Sequence, residues 1–216
     1  MKTFKEADYN SIIDHVMLTS GEIEEIVKEF KLSFSSKRHE IVERKLKLPQ
    51  FIIPFYKELY NHGKILNQLD YVARYHSYYK EYFDVNNFSL DIRLGIDARL
   101  MRTYPSLIRD LHFAYFAQEK LEDTKVIYNT RLDFHEGIDL MIKYNHVYTA
   151  FSLYTETERA ADARLRKAFR HKDFTNVYYE ELPINLNHCA SVGNFFLYGN
   201  EALQRIKEKI IQNSGA

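Results

Sequence analysis

The sequence predicts an α/β (α+β) fold: a mixed sheet with flanking helices, preceded by a helical N-terminal region. Three observations carry this. Apolar residues recur at helical spacing through the first 90 residues. Two later runs, 137–143 and 147–155, instead alternate apolar and polar side chains on either side of the turn Tyr144-Asn145-His146. From Pro105 the elements read helix, three strands, helix, strand, with one more strand and helix after them. A meander followed by a crossover helix and a further strand makes a mixed sheet.

The 216 residues suffice for one large domain or a modest domain with an extension. The polar stretch 84–91, with two Asn and a Ser, is the best boundary. It divides a helical region, 1–90, from an α/β core, 91–216. Lys plus Arg equals Asp plus Glu at 30 each, so net charge selects no polyanion and any nucleic-acid surface must come from local clustering. The single Cys189 excludes an internal disulfide and fits a reducing cytoplasm. No apolar run approaches the ~20 residues of a membrane span. The opening Met1-Lys2-Thr3-Phe4-Lys5-Glu6 lacks the apolar stretch of a secretory signal. The expected setting is cytoplasmic, without a membrane.

In the N-terminal region, Ile12, Ile13, Val16 and Met17 form a first stripe. Thr19 and Glu22 make a capping box for a helix to about Lys31, with Ile23, Ile26, Val27 and Phe30 inward. After the turn 32–35, a second helix is predicted over 36–48, closed by Pro49. Two short helices across a tight turn suggest a helix-turn-helix. The second is basic, with Lys37, Arg38, Arg44, Lys45 and Lys47 against Glu40 and Glu43. The other reading is a helical hairpin with a solvated face. Helices over 50–61 and 64–83 follow, broken at His62-Gly63. Tyr71, Tyr75, Tyr78, Tyr79 and Tyr82 on the latter read as packing rather than as a stacking platform.

In the core, 91–101 opens as helix and Pro105 suits the first turn of a new one, carrying Leu107, Ile108, Leu111, Phe113 and Phe116 inward. Strands are expected over 125–132, 137–143 and 147–155. A helix over 157–171, strands over 176–184 and 192–198 and a terminal helix over 201–211 complete the chain.

Within the hairpin, Ile138, Leu140 and Ile142 alternate with Asp139, Met141 and Lys143, so Asp139 is expected opposite the apolar face and across from about Ser152. A carboxylate facing polar residues on the next strand suits a metal or phosphate site. It equally suits an acid that holds a backbone donor at the mouth of a strand. The helix over 157–171 crowds Arg159, Arg164, Arg166, Lys167, Arg170 and Lys172 together. With Ser152, Tyr154, Thr155 and Thr157 before them, Arg159, Arg164, Lys167 and Arg170 form a candidate phosphate or nucleic-acid site. The alternative is a solvated basic face paired with Glu156, Glu158 and Asp162. The nine histidines are scattered, none at zinc spacing, although His112 and His135 are placed to approach Asp139.

Residues 105–184, with Asp139 in Gly137-Ile138-Asp139-Leu140, resemble the core of the PD-(D/E)xK nuclease-like superfamily. The resemblance implies a divalent metal, Mg²⁺ or Mn²⁺, on an Asp at the start of the second core strand. An acid and a lysine two residues apart on the third strand would complete the site. Asp139 matches the first position. Ser152 and Tyr154 stand at the other two, and neither a hydroxyl nor a neutral tyrosine replaces what is missing. The resemblance then implies migrated groups. The acids would be Glu119, Asp133, Glu136, Glu156 or Glu158, and the cation Lys167 or a neighbouring Arg. On this reading Asp139, Glu156 and Lys167 are catalytic, and Asp139, Glu119 and Asp133 hold metal. The implied function is a nucleic-acid-binding protein, if active a metal-dependent DNA endonuclease of restriction or mobile-element type. DNA is the expected partner and a homodimer is left open. The alternatives are an inactive nuclease-fold binder of DNA or a phosphorylated ligand, and a protein-interaction module using the Tyr-rich helix.

Overall fold

The computed structural model describes residues 2–35, 38–156 and 174–215. They form the expected class: a mixed four-stranded sheet with flanking helices and a helical N-terminal region. The predicted helix over 157–171, with its cations, lies outside the described residues.

Helix α1 (Ser20–Lys28) starts at the predicted box. The Thr19 hydroxyl accepts from Glu22 N at 3.1 Å, and Glu22 Oε2 accepts from Thr19 N at 2.8 Å. The second N-terminal element departs from expectation. Over 38–48 the chain makes only a single π turn, Ile41–Lys45, with Val42 buried. The Val42 carbonyl that an α-helix would offer to Leu46 is bonded by Arg99 instead, and Leu46 N turns to Ile41 O at 2.9 Å. The described residues here therefore hold no recognition helix.

Helix α2 (Ile52–His62) stops at Gly63, whose φ of 62° ends it as a left-handed cap. Helices α3 (Gln68–Tyr78) and α4 (Lys80–Asn86) divide the predicted 64–83 helix. The tyrosines pack, as expected. Burial pushes the hydroxyls of Tyr71, Tyr75, Tyr79 and Tyr82 up, so they remain protonated donors. They donate to the carbonyls of Phe51, Pro49, Gln50 and Lys47 respectively, at 2.9–3.2 Å.

Helix α5 runs unbroken from Leu90 to Lys120, with Pro105 inside it rather than at a new start. Proline has no N–H to give the carbonyl four residues earlier. That carbonyl, Met101 O, accepts from Gln68 Nε2 at 3.0 Å, so the orphaned group is satisfied by another helix.

The sheet comprises β1 (Thr124–Ile127), β2 (Leu140–Tyr144), β3 (Val147–Thr155) and β4 (Val177–Ile184) in that spatial order. The first three strands are an antiparallel meander, and β4 runs parallel to β3. Tyr144 pairs with Val147 across Asn145-His146, whose φ values of 47° and 65° make a type I′ turn. The strand predicted over 192–198 is instead a small separate hairpin, β5 (Ala190–Val192) with β6 (Phe195–Leu197). Gly193 turns it with φ 55°, and a Cβ there would lie 2.7 Å from Lys28 O. Helix α6 (Asn200–Ser214) ends the fold.

One apolar cluster takes side chains from Ile12 to Ile210 and includes Leu140, Ile142, Phe151 and Leu153 of the sheet. A second one gathers Phe4, Tyr9, Ile127, Leu132, Ile138, Met141, Ala150 and Phe174.

Candidate functional site

The candidate site lies where β2 begins. A π turn, Leu132–Glu136, delivers the chain through Gly137 at φ 71°. The last regular pair is Leu140 with Phe151, so the next residues outward are Asp139 and Ser152, the predicted neighbours. The ladder becomes irregular there. Asp139 N donates to Phe151 O at 3.0 Å, and Leu153 N donates to the Asp139 carboxylate at 2.8 Å. The side chain thus occupies a place that a backbone acceptor usually fills.

Strict alternation fails at this point. Ile138 packs with Met141 and Ala150, not with Leu140 and Ile142. Asp139 is 5% exposed, and its charge acts on the hydroxyls of Tyr128 and Tyr198, both members of the main cluster. The expectation that Asp139 lies opposite the apolar face is therefore corrected. The cause is the irregular entry from the π turn, which resets the side-chain phase before Leu140.

Tyr128 is the hub of this buried polar group. Its hydroxyl meets that of Tyr56. Burial pushes it well up, and the charges of Asp133 and Asp139 push it the same way. Two of the predicted acids, Asp133 and Asp139, thus act on one phenol. Tyr198 is raised by burial first, then by Asp110, with Asp139 adding to the rise and Arg109 opposing it. The Arg109 guanidinium lies 5.3 Å from the Tyr198 ring. Asp110 and Asp139 thus both act on Tyr198, although the sequence reading gave Asp110 and Tyr198 no role. The signal for Asp110 was its place on the polar side of the helix that precedes the meander.

The other candidates are distributed differently. Glu119 holds the start of α1, accepting Ser20 N at 2.6 Å and Ser20 Oγ at 2.5 Å. Glu136 is 1% exposed, with Lys2 Nζ at 3.8 Å from Oε1, and its Oε2 has no hydrogen-bond partner among the described residues. Ser152 Oγ donates to Gly137 O at 3.0 Å. Tyr154 stands beside Pro183 of β4, and Glu156 is exposed just past β3 with its N–H on Ile184 O. His112 is buried against Glu24 at 2.8 Å, and burial lowers its pKa despite that partner. His135 is exposed. Arg159, Arg164, Lys167, Arg170, Thr157 and Glu158 lie outside the described residues. Parallel pairing also sets Glu181 of β4 beside Ser152, a neighbour that the sequence could not supply without the register.

A cavity of ≈ 110 Å³ lies between Gly137, Ser152, Tyr179 and Glu181. That is below the roughly 300 Å³ at which small-molecule pockets begin. Among the described residues no three His, Cys, Asp or Glu side chains form a metal-binding group. No described helix is long and apolar enough to cross a membrane.

The family described as TaqI restriction endonuclease matches residues 34–189, which includes the basic π turn, α2 to α5, the whole four-stranded sheet and Asp139. No curated protein and no solved structure matches the chain.

Proposed function

The chain belongs to the TaqI restriction endonuclease family, and on that premise we propose that it is a DNA endonuclease of restriction type, hydrolysing phosphodiester bonds at a centre built on Asp139. The carrying observation is the family match, which spans 34–189 and so takes in Asp139 and the strands around it.

The donors present suit a hard, oxygen-preferring ion. Mg²⁺ takes one or two protein carboxylates and completes its shell with water and phosphate oxygens, so a three-acid cage is not required. Leu153 N holds the Asp139 carboxylate at the mouth of β2. In this reading Asp139 is the principal ligand of Mg²⁺ or Mn²⁺ and Asp133 the second, both oriented about Tyr128. The ion would neutralise phosphate charge and lower the pKa of attacking water. Leu153 N fixes the Asp139 carboxylate, and the Tyr128 and Tyr198 hydroxyls within reach of its charge are held protonated. Glu156 and Lys167 are assigned the remaining acid and cation, replacing the pair that Ser152 and Tyr154 displace.

The test compares wild type with Asp139→Asn on supercoiled DNA in Mg²⁺ and in Mn²⁺. Asparagine keeps an acceptor for Leu153 N but loses the charge. Cleavage is expected to fall at least ~100-fold while the melting temperature stays close to that of wild type. Equal cleavage by both proteins would remove Asp139 from the chemistry. One observation favours a second reading: the buried carboxylate already has a structural bond, as the strand-mouth alternative required. A wild-type protein that binds DNA salt-dependently and cleaves it with neither ion would be the non-cutting binder.

A further inference from the structure

The segment between α1 and α2 joins a backbone fastened at several points with a set of cations that have no acidic partner among the described residues. Its backbone is tied down from three helices. Gln68 of α3 exchanges bonds with Ser33, accepting from its N at 2.7 Å and donating to its O at 3.1 Å. Arg102 of α5 donates to Ser35 O at 3.1 Å, and Arg99 of α5 donates to Val42 O. The tyrosines of α3 and α4 take the carbonyls of 47, 49, 50 and 51. The fit against α5 is close: a Cβ on Gly95 would lie 2.6 Å from His39 Cβ and 3.1 Å from Val42 Cγ2.

The acids around this segment are largely committed. Glu43 pairs with Arg102 and Arg99, and Asp91 with His39 at 2.9 Å. Glu40 is the exception, and it is exposed. Arg38, Arg44, Lys45 and Lys47 are all exposed, and among the described residues none has an acidic partner. Four exposed cations within ten residues, without an acidic partner among the described residues and on a backbone held by Arg99 and Tyr82, fit a polyanion with regularly spaced charge.

We propose that this clamped basic turn, residues 38–47, is a contact surface for the phosphate backbone of duplex DNA. The proposal rests on the DNA-directed reading above and specifies where the duplex is gripped. The turn positions the duplex through its phosphates. It does not read bases from a helix in the groove, because the described chain has only one π turn here.

The experiment measures the binding of a fluorescent, sequence-unrelated duplex by anisotropy across a salt series, using the full chain without divalent metal. The test variant carries Arg38→Ala, Arg44→Ala, Lys45→Ala and Lys47→Ala. The control removes four exposed charges elsewhere, through Lys31→Ala, Lys64→Ala, Lys120→Ala and Lys207→Ala. Each lost phosphate contact lowers the slope of log K against log salt by about 0.9. The test variant is expected to lose about 2 to 3.5 from that slope and at least ~10-fold in affinity, and the control less than ~3-fold. A substitution set keeping charge, Arg38→Lys with Arg44→Lys, should bind within ~3-fold of wild type. Equal losses in test and control variants would overturn the assignment while leaving the DNA reading intact. A wild type that does not bind duplex would overturn both. Circular dichroism of each variant separates loss of contact from loss of fold.

Discussion

Glu6 shows how a single carboxylate can tie the start of the chain to the sheet. Its oxygens lie 2.9 Å from Lys125 Nζ and 3.0 Å from Lys143 Nζ, and Tyr148 donates to it at 2.9 Å. The Lys125 and Lys143 ammonium groups hold its pKa down to about 2 from the ordinary 4.5. A carboxyl whose folded pKa is depressed adds stability that is complete above its unfolded value. That stability is lost as pH falls toward the folded value. Glu6→Gln should therefore lower the melting temperature by ~2–4 °C at pH 6, an effect of about 1 kcal/mol after solvent screening. The gap should close between pH 4.5 and 2, as thermal melts across that range would show. A gap independent of pH would mean that the glutamine disturbs packing, not charge. Neither lysine was legible as a partner from sequence. Glu6 and Lys143 stand 137 positions apart, and only the strand register joins them. Asp139 was legible as the residue to watch, since an acid in an apolar run opening a strand needs an explanation. Its surroundings were not, because the π turn before it breaks the two-residue period on which the reading relied.

At the scale of elements, what the sequence revealed was what local chemistry decides. Thr19 and Glu22 form their box, Gly63 ends α2, and Asn145-His146 turns the hairpin at the predicted place. The failures are places where a distant group overrides a local signal. Pro105 reads as a helix start, yet α5 passes through it because Gln68 takes up the carbonyl that proline abandons. Residues 38–48 carry helical spacing, yet Arg99 takes a carbonyl and only a π turn remains. Gln68 is 1% exposed, so Gln68→Leu would strand Ser33 N, Ser33 O and Met101 O without their partner. Buried unsatisfied groups cost ~1–3 kcal/mol each, so urea melts should show a loss of at least ~2 kcal/mol. The account of Pro105 makes a sharper claim. Pro105→Ala restores an N–H for Met101 O, so Gln68→Leu should cost about 1 kcal/mol less in that background than alone. Strictly additive effects would show that the two residues do not share the carbonyl.

At the scale of the whole molecule, the division at residue 90 meets the pattern of packing. The polar stretch that suggested it does contain a helix end and a helix start: Asn87 is left-handed and Ser89 caps α5. The main cluster nevertheless draws Ile23, Val27, Phe55, Leu59, Tyr71 and Tyr75 from one side of that position. From the other it draws Ile96, Leu111, Phe151, Phe195 and Ile206. An edge-to-face ring pair crosses as well, with Tyr104 lying 6.2 Å from Phe55. Composition reports a boundary in the chain, whereas cooperativity depends on which surfaces are buried against each other. Residues 1–90 and 91–216 are accordingly expected to unfold together. Scanning calorimetry should give one transition, with calorimetric and van't Hoff enthalpies agreeing. Phe55→Ala, which removes a ring 1% exposed in the shared cluster, should lower that single transition by about 3–5 kcal/mol. Its effect should be equally visible to a helix signal from the N-terminal region and to a tyrosine signal from the sheet. Two resolved transitions, with Phe55→Ala moving only one of them, would restore two independently folding units. The clamped basic turn and the proposed Asp139 centre would then sit on bodies free to move apart, and the grip proposed for the turn would no longer fix the phosphate on which that centre is proposed to act.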